Sequence, residues 1–96
     1  LHRLAPEART DLDELAFRVA TESGSLVRAE RLIMALTERF HLLSRYPLLG
    51  RHREDLGGRR SFAVGDYVIL YRVDDGDVAI LRVIHGRRDI DGLIGG

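Results

Sequence analysis

The stretch YVILYRVDDGDVAILRVIH, Tyr67 to His85, limits the possible folds more than any other part of the chain. Two runs rich in β-branched and aromatic residues flank Asp75-Gly76, a pair suited to the positive φ angles of a two-residue type I′ turn, so the segment is expected to form a β-hairpin. With Asp75 and Gly76 as the turn, Val73 opposes Val78, and each earlier residue opposes one later. Directly opposed residues share a face. One face then holds Tyr67, Ile69, Tyr71, Val78, Ile80, Arg82 and Ile84, and the other holds Val68, Leu70, Arg72, Ala79, Leu81, Val83 and His85. Both are largely apolar, whereas an antiparallel sheet with one wet face alternates apolar with polar. Each face therefore needs a cover.

The first half of the chain supplies one. Pro6 suits a first helical turn, and Leu12, Leu15, Ala16 and Val19 follow at helical spacing up to Gly24. Ser25 can cap a second helix in which Ala29, Ile33, Leu36, Phe40 and Leu43 repeat at steps of four and three until Pro47. A polar connection, LLGRHREDLGG, leads to Arg59, after which RRSFAVGDYV reads as strand broken near Gly65-Asp66. The order is α-α-β-β-β, with a short edge strand available from Leu1 to Leu4. The expected class is α+β, an N-terminal helical hairpin packed on a small three- to four-stranded antiparallel sheet. At 96 residues this is a single domain, residues 1–96. One helical hairpin covers one face only, so the other is expected to meet a partner or a second copy, and a slipped register would exchange the faces without making either polar.

Composition removes several classes. There is no cysteine, hence neither a disulfide scaffold nor a thiolate metal site, and no apolar run is long enough to span a bilayer. A cytoplasmic location is the expectation. All 15 basic residues are arginine and balance 15 acids. They are unevenly placed: up to Gly50 arginines and acids number seven each, whereas Arg51 to Arg60 has four arginines against two acids, and Val78 to Arg88 has three arginines, one histidine and no acid.

The basic end of the last strand, His85-Gly86-Arg87-Arg88, is the sharpest candidate site. An imidazole beside two guanidiniums, near Arg59-Arg60 or Arg51-His52-Arg53, could bind phosphate, with the histidine as acid or base. Equally, the arginines could be solvated and paired with Asp89, Asp91 or helix acids, while His85 ends the strand as a hydrogen-bonded histidine. His2, His41, His52 and His85 lack metal-ligand spacing, and there is no glycine-rich phosphate loop or nucleophile elbow, so neither metal nor cofactor is expected. Asp11, Asp13 and Glu14 fit favourable charges in an early helical turn. Tyr67 and Tyr71 could stack a base, but two residues apart on a strand they also fit core or interface aromatics.

The succession of helical hairpin, YPLLGR, RRSFAVGDYVILYRV and VAILRVIHGRRD resembles the ParE-type toxins of bacterial toxin–antitoxin modules, within the RelE/ParE superfamily. The likeness spans nearly the whole chain, and the linked set P-x-x-G-R, R-S, Y-x-I-x-Y-R and HGRRD is more specific than any one motif. It implies the fold already reached and a type II toxin neutralised by a cognate antitoxin protein whose C-terminal segment wraps it. It also implies DNA gyrase as the poisoned target, with no membrane partner and no direct DNA binding without antitoxin. The residues offered to the target would be Arg59, Arg60, His85, Arg87 and Arg88.

RelE-like members of the superfamily instead cut mRNA on the ribosome. Those nucleases typically place arginine directly after the first strand tyrosine, where this chain has Val68. They also carry a basic residue after the last strand's glycine, which Arg88 could match, and a later tyrosine or histidine where this chain has Leu93 and Ile94. An mRNA endonuclease resting on His85 and Arg88 is therefore the enzymatic alternative, and an inactive, antitoxin-binding relic is the structural one. The resemblance also orients the sheet: the Val68 position faces the nuclease cleft, which assigns Val68, Leu70, Leu81 and Val83 to that cleft. A surface so greasy would suit an amphipathic antitoxin segment.

Overall fold

A computed structural model describes residues 1–86. In chain order its elements are β1 (His2–Leu4), α1 (Pro6–Ser23), α2 (Leu26–Arg45), β2 (Arg51–Arg53), a 3-10 turn (Glu54–Leu56), β3 (Arg59–Val64), β4 (Tyr67–Asp74) and β5 (Asp77–His85).

The helix boundaries follow from their end residues. Pro6 opens α1 and Gly24, at φ 69°, closes it in the left-handed conformation that a side chain resists. Ser25 then caps α2, its hydroxyl accepting the Arg28 N–H at 3.2 Å. The resulting antiparallel hairpin buries Ala8 and Leu15 of α1 with Leu36, Phe40 and Leu43 of α2 against Ile69, Tyr71, Val78, Ile80 and Val83 of the sheet.

Among the described residues the sheet has five strands, in the order β1-β5-β4-β3-β2, rather than three or four. It is also mixed, since β1 runs parallel to β5, His2 to Leu4 lying beside Val78 to Ile80. A tight hairpin would force antiparallel pairing; β1 and β5 are joined only through the rest of the fold, so nothing imposes it. The fifth strand, β2, comes from the connection, where Arg51 to Arg53 pair with Ser61 to Arg59.

The turn at Asp75-Gly76 sets the expected register as far as Tyr71↔Ile80. There Leu70 pairs with Arg82, leaving Leu81 without a partner in β4. This β-bulge inverts the in–out alternation for the rest of β5. Val83 (3% exposed) therefore lies in the helix-side core and not in the cleft, Ile84 replaces it beside Leu70, and His85 turns to the helix side opposite Tyr67. Asp11 of α1 holds the bulge. Its carboxylate accepts Arg82 Nε at 2.7 Å and Nη2 at 3.1 Å, and also the Val83 amide at 3.0 Å. A two-pronged, charge-assisted contact thus fixes α1 along β5 where β1 stops.

The outer face is covered in part from within the chain. Leu56, in the 3-10 turn, packs with Leu70 and Ile84, and Val68 lies against them. Arg53 anchors the turn by donating Nε and Nη2 to the two oxygens of Asp55 at 2.9 and 2.6 Å, which holds the Asp55 carboxyl below its ordinary pKa.

Tyr71 explains the spacing of the PLLGR motif. Its buried ring carries a hydroxyl that donates to the Pro47 carbonyl at 2.7 Å and accepts the Gly50 N–H at 2.8 Å, while Arg60 Nη1 donates to the Gly50 carbonyl at 2.7 Å. A Cβ at Gly50 would collide with the Tyr71 hydroxyl and the Ser61 carbonyl, so the position requires glycine. Tyr71→Phe leaves the Gly50 amide without its acceptor and should cost about 1–3 kcal/mol in urea unfolding at neutral pH. Burial raises the Tyr71 pKa above its ordinary 10.0, although the Gly50 hydrogen bond and the Arg60 charge oppose it. The folded chain thus holds this proton more tightly than the unfolded chain. Its contribution is intact below about pH 10 and lost as the pH rises through the raised value, so the gap between wild type and Tyr71→Phe should narrow in alkali.

Candidate functional site

On the outer face of the sheet an open groove of about 470 Å³ crosses from the start of α1 to the 3-10 turn. Leu70 of β4 and the bulge residue Leu81 contribute its apolar lining. Glu7 and Arg82 line it on the α1 side, and Asp55, Leu56, Gly57 and Arg59 on the other. The bulge leaves Leu81 on the groove side next to Leu70, where the unbroken register also had it, and brings Arg82 round to the same side, where Asp11 draws it to the rim. An apolar floor between walls carrying both signs of charge fits an amphipathic peptide better than a bare phosphate chain.

The residues assigned to the cleft from sequence divide as follows. Leu81, partly exposed, lines the groove, and Leu70 lies beneath it at 3% exposure. Val68 is half-buried against the Leu56 cluster, and Val83 is on the other face.

Of the residues assigned to the target, the three described ones, Arg59, Arg60 and His85, do not form one patch. Arg59 lines the groove and donates Nη1 to the Leu56 carbonyl at 3.0 Å. Arg60, next along β3, pairs opposite Tyr71 on the helix side, where it holds the loop before β2. His85 shares that side, its ring edge-on to Tyr67 at 5.6 Å, but sits four β4 positions from Arg60, roughly 13 Å along the strand. Alternation along β3 thus separates Arg59 from Arg60, and the bulge separates His85 from the groove. Arg87 and Arg88 lie outside the described residues, as do Leu93 and Ile94.

Glu7, Asp55, Leu56 and Arg82 of the lining, and Asp11 behind Arg82, were not singled out for this site. Leu56 had a visible signal, being the only apolar residue in RHREDLGGRR. Asp11 looked like any acid early in a helix, and its partners, Arg82 and the Val83 amide, are more than seventy positions away. Among the described residues no three histidine, aspartate or glutamate side chains converge on a metal position, and no helix is long and apolar enough to cross a membrane.

Residues 3–90 match the family model described as the ParE toxin of the type II toxin–antitoxin system parDE. The chain is 38% identical over 86 residues to Toxin ParE3 of Caulobacter vibrioides, covering 88% of this chain and 85% of that protein. It is 27% identical over 90 residues to Toxin ParE1 of Mycobacterium tuberculosis, covering 92% and 91% of the two. Among solved structures, "Chromosomal ParDE TA system from P. aeruginosa" superposes with a TM-score of 0.76 at 20% identity, over 88% of this chain and 92% of that one. At that identity the likeness speaks to the fold.

Proposed function

The chain belongs to the ParE toxin family of type II toxin–antitoxin systems, and from that premise we propose that it halts growth by inhibiting DNA gyrase and is silenced when a segment of its antitoxin occupies the outer groove. The observation that carries this reading is the apolar lining. Leu70 and Leu81 meet in the groove, and Val68, in the position where the superfamily's ribosome-dependent nucleases carry arginine, packs against Leu56, Leu70 and Ile84. Covering the exposed part of Leu81 and its apolar neighbours gains free energy, and Glu7 and Asp55 in the walls would repel a phosphate backbone. The charged rim, with Glu7 and Asp55 among its acids and Arg59 and Arg82 among its bases, would fix the direction of the entering segment.

The mRNA-cutting alternative would need His85 to move a proton at that cleft. His85 pairs opposite Tyr67, its ring edge-on to the tyrosine on the helix side of the sheet and not in the groove. His85→Gln retains hydrogen-bonding capacity but cannot exchange a proton near neutral pH. Under inducible expression the variant should arrest growth as the wild type does, within about twofold in the inducer needed. A variant that grows normally while folded would favour the nuclease. Co-expression of the antitoxin should restore growth for both proteins.

A further inference from the structure

β1 is a three-residue strand on the edge of the sheet, lying along β5 from His2 to Leu4. Around it the Val78 N–H donates to the Leu1 carbonyl at 3.1 Å and the Ala5 N–H to the Ile80 carbonyl at 2.8 Å. Arg3 reaches Asp74 of β4 at 2.9 Å on the outer face. On the helix side His2 is half-buried, its ring tilted on Phe40 at 5.8 Å and edge-on to His41 at 4.9 Å, both residues of α2. Two rings that can each take a charge near neutral pH therefore meet where the strand docks on the helix.

The surroundings favour a neutral His2. Burial lowers its pKa below the ordinary 6.5, and the charges of His41 and of the Leu1 amino group lower it further. The carboxylates around β1 are engaged with other groups or face elsewhere. Asp77 lies 3.5 Å from the Leu1 amino group, Asp74 accepts from Arg72 and Arg3, and Glu7 of α1 lines the outer groove. Arg9 of α1 is exposed, and on α2 Glu38 and Arg45 stand about one turn either side of His41 with opposite signs. Arg72 holds the Asp74 carboxyl below its ordinary range, so the Arg3 contact persists while the histidines titrate. We propose that the His2–His41 contact is an acid-sensitive latch on β1: protonation of the two rings drives them apart and frees β1 from β5 while the rest of the fold holds. The docked strand binds the His2 proton less tightly than the released strand does. Its attachment is therefore full above pH 6.5 and is lost as the pH falls through the lowered value. Release uncovers the β5 edge at Val78 and Ile80 together with the Phe40 ring, all buried when the strand is docked. The inference does not depend on the gyrase reading.

Amide exchange followed by NMR between about pH 5 and 8, expressed as protection relative to the unfolded rate, reads the latch at the Val78 and Ala5 amides. Their protection should hold above pH 6.5 and fall below it, by at most about tenfold per pH unit for one proton, while the core amides of Leu36 and Ile69 keep theirs. His2→Phe keeps a ring on Phe40 but takes no charge, and should abolish the pH dependence with β1 still docked. His41→Gln, at an exposed position, should make the dependence shallower, because one of the charges opposing His2 is gone. Protection that is flat with pH in the wild type overturns the proposal. So does a dependence that survives in His2→Phe, one that His41→Gln leaves unchanged, or a loss shared equally by Leu36 and Ile69, which would be unfolding of the whole domain.

Discussion

Leu81→Asp should fold and fail to bind the antitoxin, whereas Leu70→Asp should not reach a stable folded state. The two leucines are neighbours in one groove, and the bulge makes them unequal. Leu70 is 3% exposed and locked under Leu56 and Ile84, so an aspartate there would be a buried, uncompensated carboxylate. That costs several kcal/mol. A domain of this size has only about 5–15 kcal/mol of stability to lose. Leu81 is partly exposed and has no β4 partner, so its replacement remains solvated in the free chain and should move the melting temperature little. Only the complex would bury the charge. A penalty of a few kcal/mol on the bound state alone corresponds to roughly a hundredfold or greater loss of affinity. Calorimetric titration of the antitoxin, with thermal melts of both variants, separates the cases. Unchanged antitoxin affinity in Leu81→Asp would place the contact elsewhere.

Replacing Arg87 and Arg88 together with alanine should abolish growth arrest while leaving the fold and the antitoxin affinity intact. Both residues lie beyond those described; in sequence the two arginines follow Gly86, after a strand that ends at His85. Of the other arginines assigned to the target, the two on β3 already have partners. Arg60 is engaged with the Gly50 carbonyl, and Arg59 donates to Leu56 within the groove proposed for the antitoxin. Loss of toxicity with an unchanged melt would identify contact with the target. The double lysine variant refines the result. Retained toxicity would mean that positive charge suffices, and lost toxicity that planar, two-pronged contacts are needed. If the double alanine variant stays fully toxic, the surface that meets the target is not this end of β5.

Most of the fold was legible because local chemistry and global pattern agree. Gly24 and Ser25 mark where one helix ends and the next begins, and Asp75-Gly76 fixes the register from Val73↔Val78 to Tyr71↔Ile80. The bulge at Leu81 was not legible from periodicity, since VAILRVIH is apolar at both odd and even positions and inverting it leaves no trace in the pattern. Arg82 did carry a signal. In an unbroken register it falls on the face of Tyr67, Ile69 and Ile80, where a guanidinium would be buried in the core. An extra residue before it removes that conflict, and the structure takes this course with Asp11 waiting at the edge. From this one inversion follow the misplacement of Val83 and of His85. The 3-10 turn escaped notice for another reason: Arg51 to Arg60 is dominated by charge and glycine, and only the single leucine hinted that it folds back over the sheet.

The most direct test of gyrase inhibition is a reconstituted supercoiling reaction containing purified gyrase, relaxed plasmid, ATP and the folded chain, run beside a ribosome-bound message assay with the same preparation. The expected result is dose-dependent loss of supercoiling with accumulation of cleaved plasmid, unaffected by His85→Gln, abolished by the double alanine at Arg87 and Arg88, and reversed by adding antitoxin. Undiminished supercoiling at concentrations that cut ribosome-bound message would contradict it.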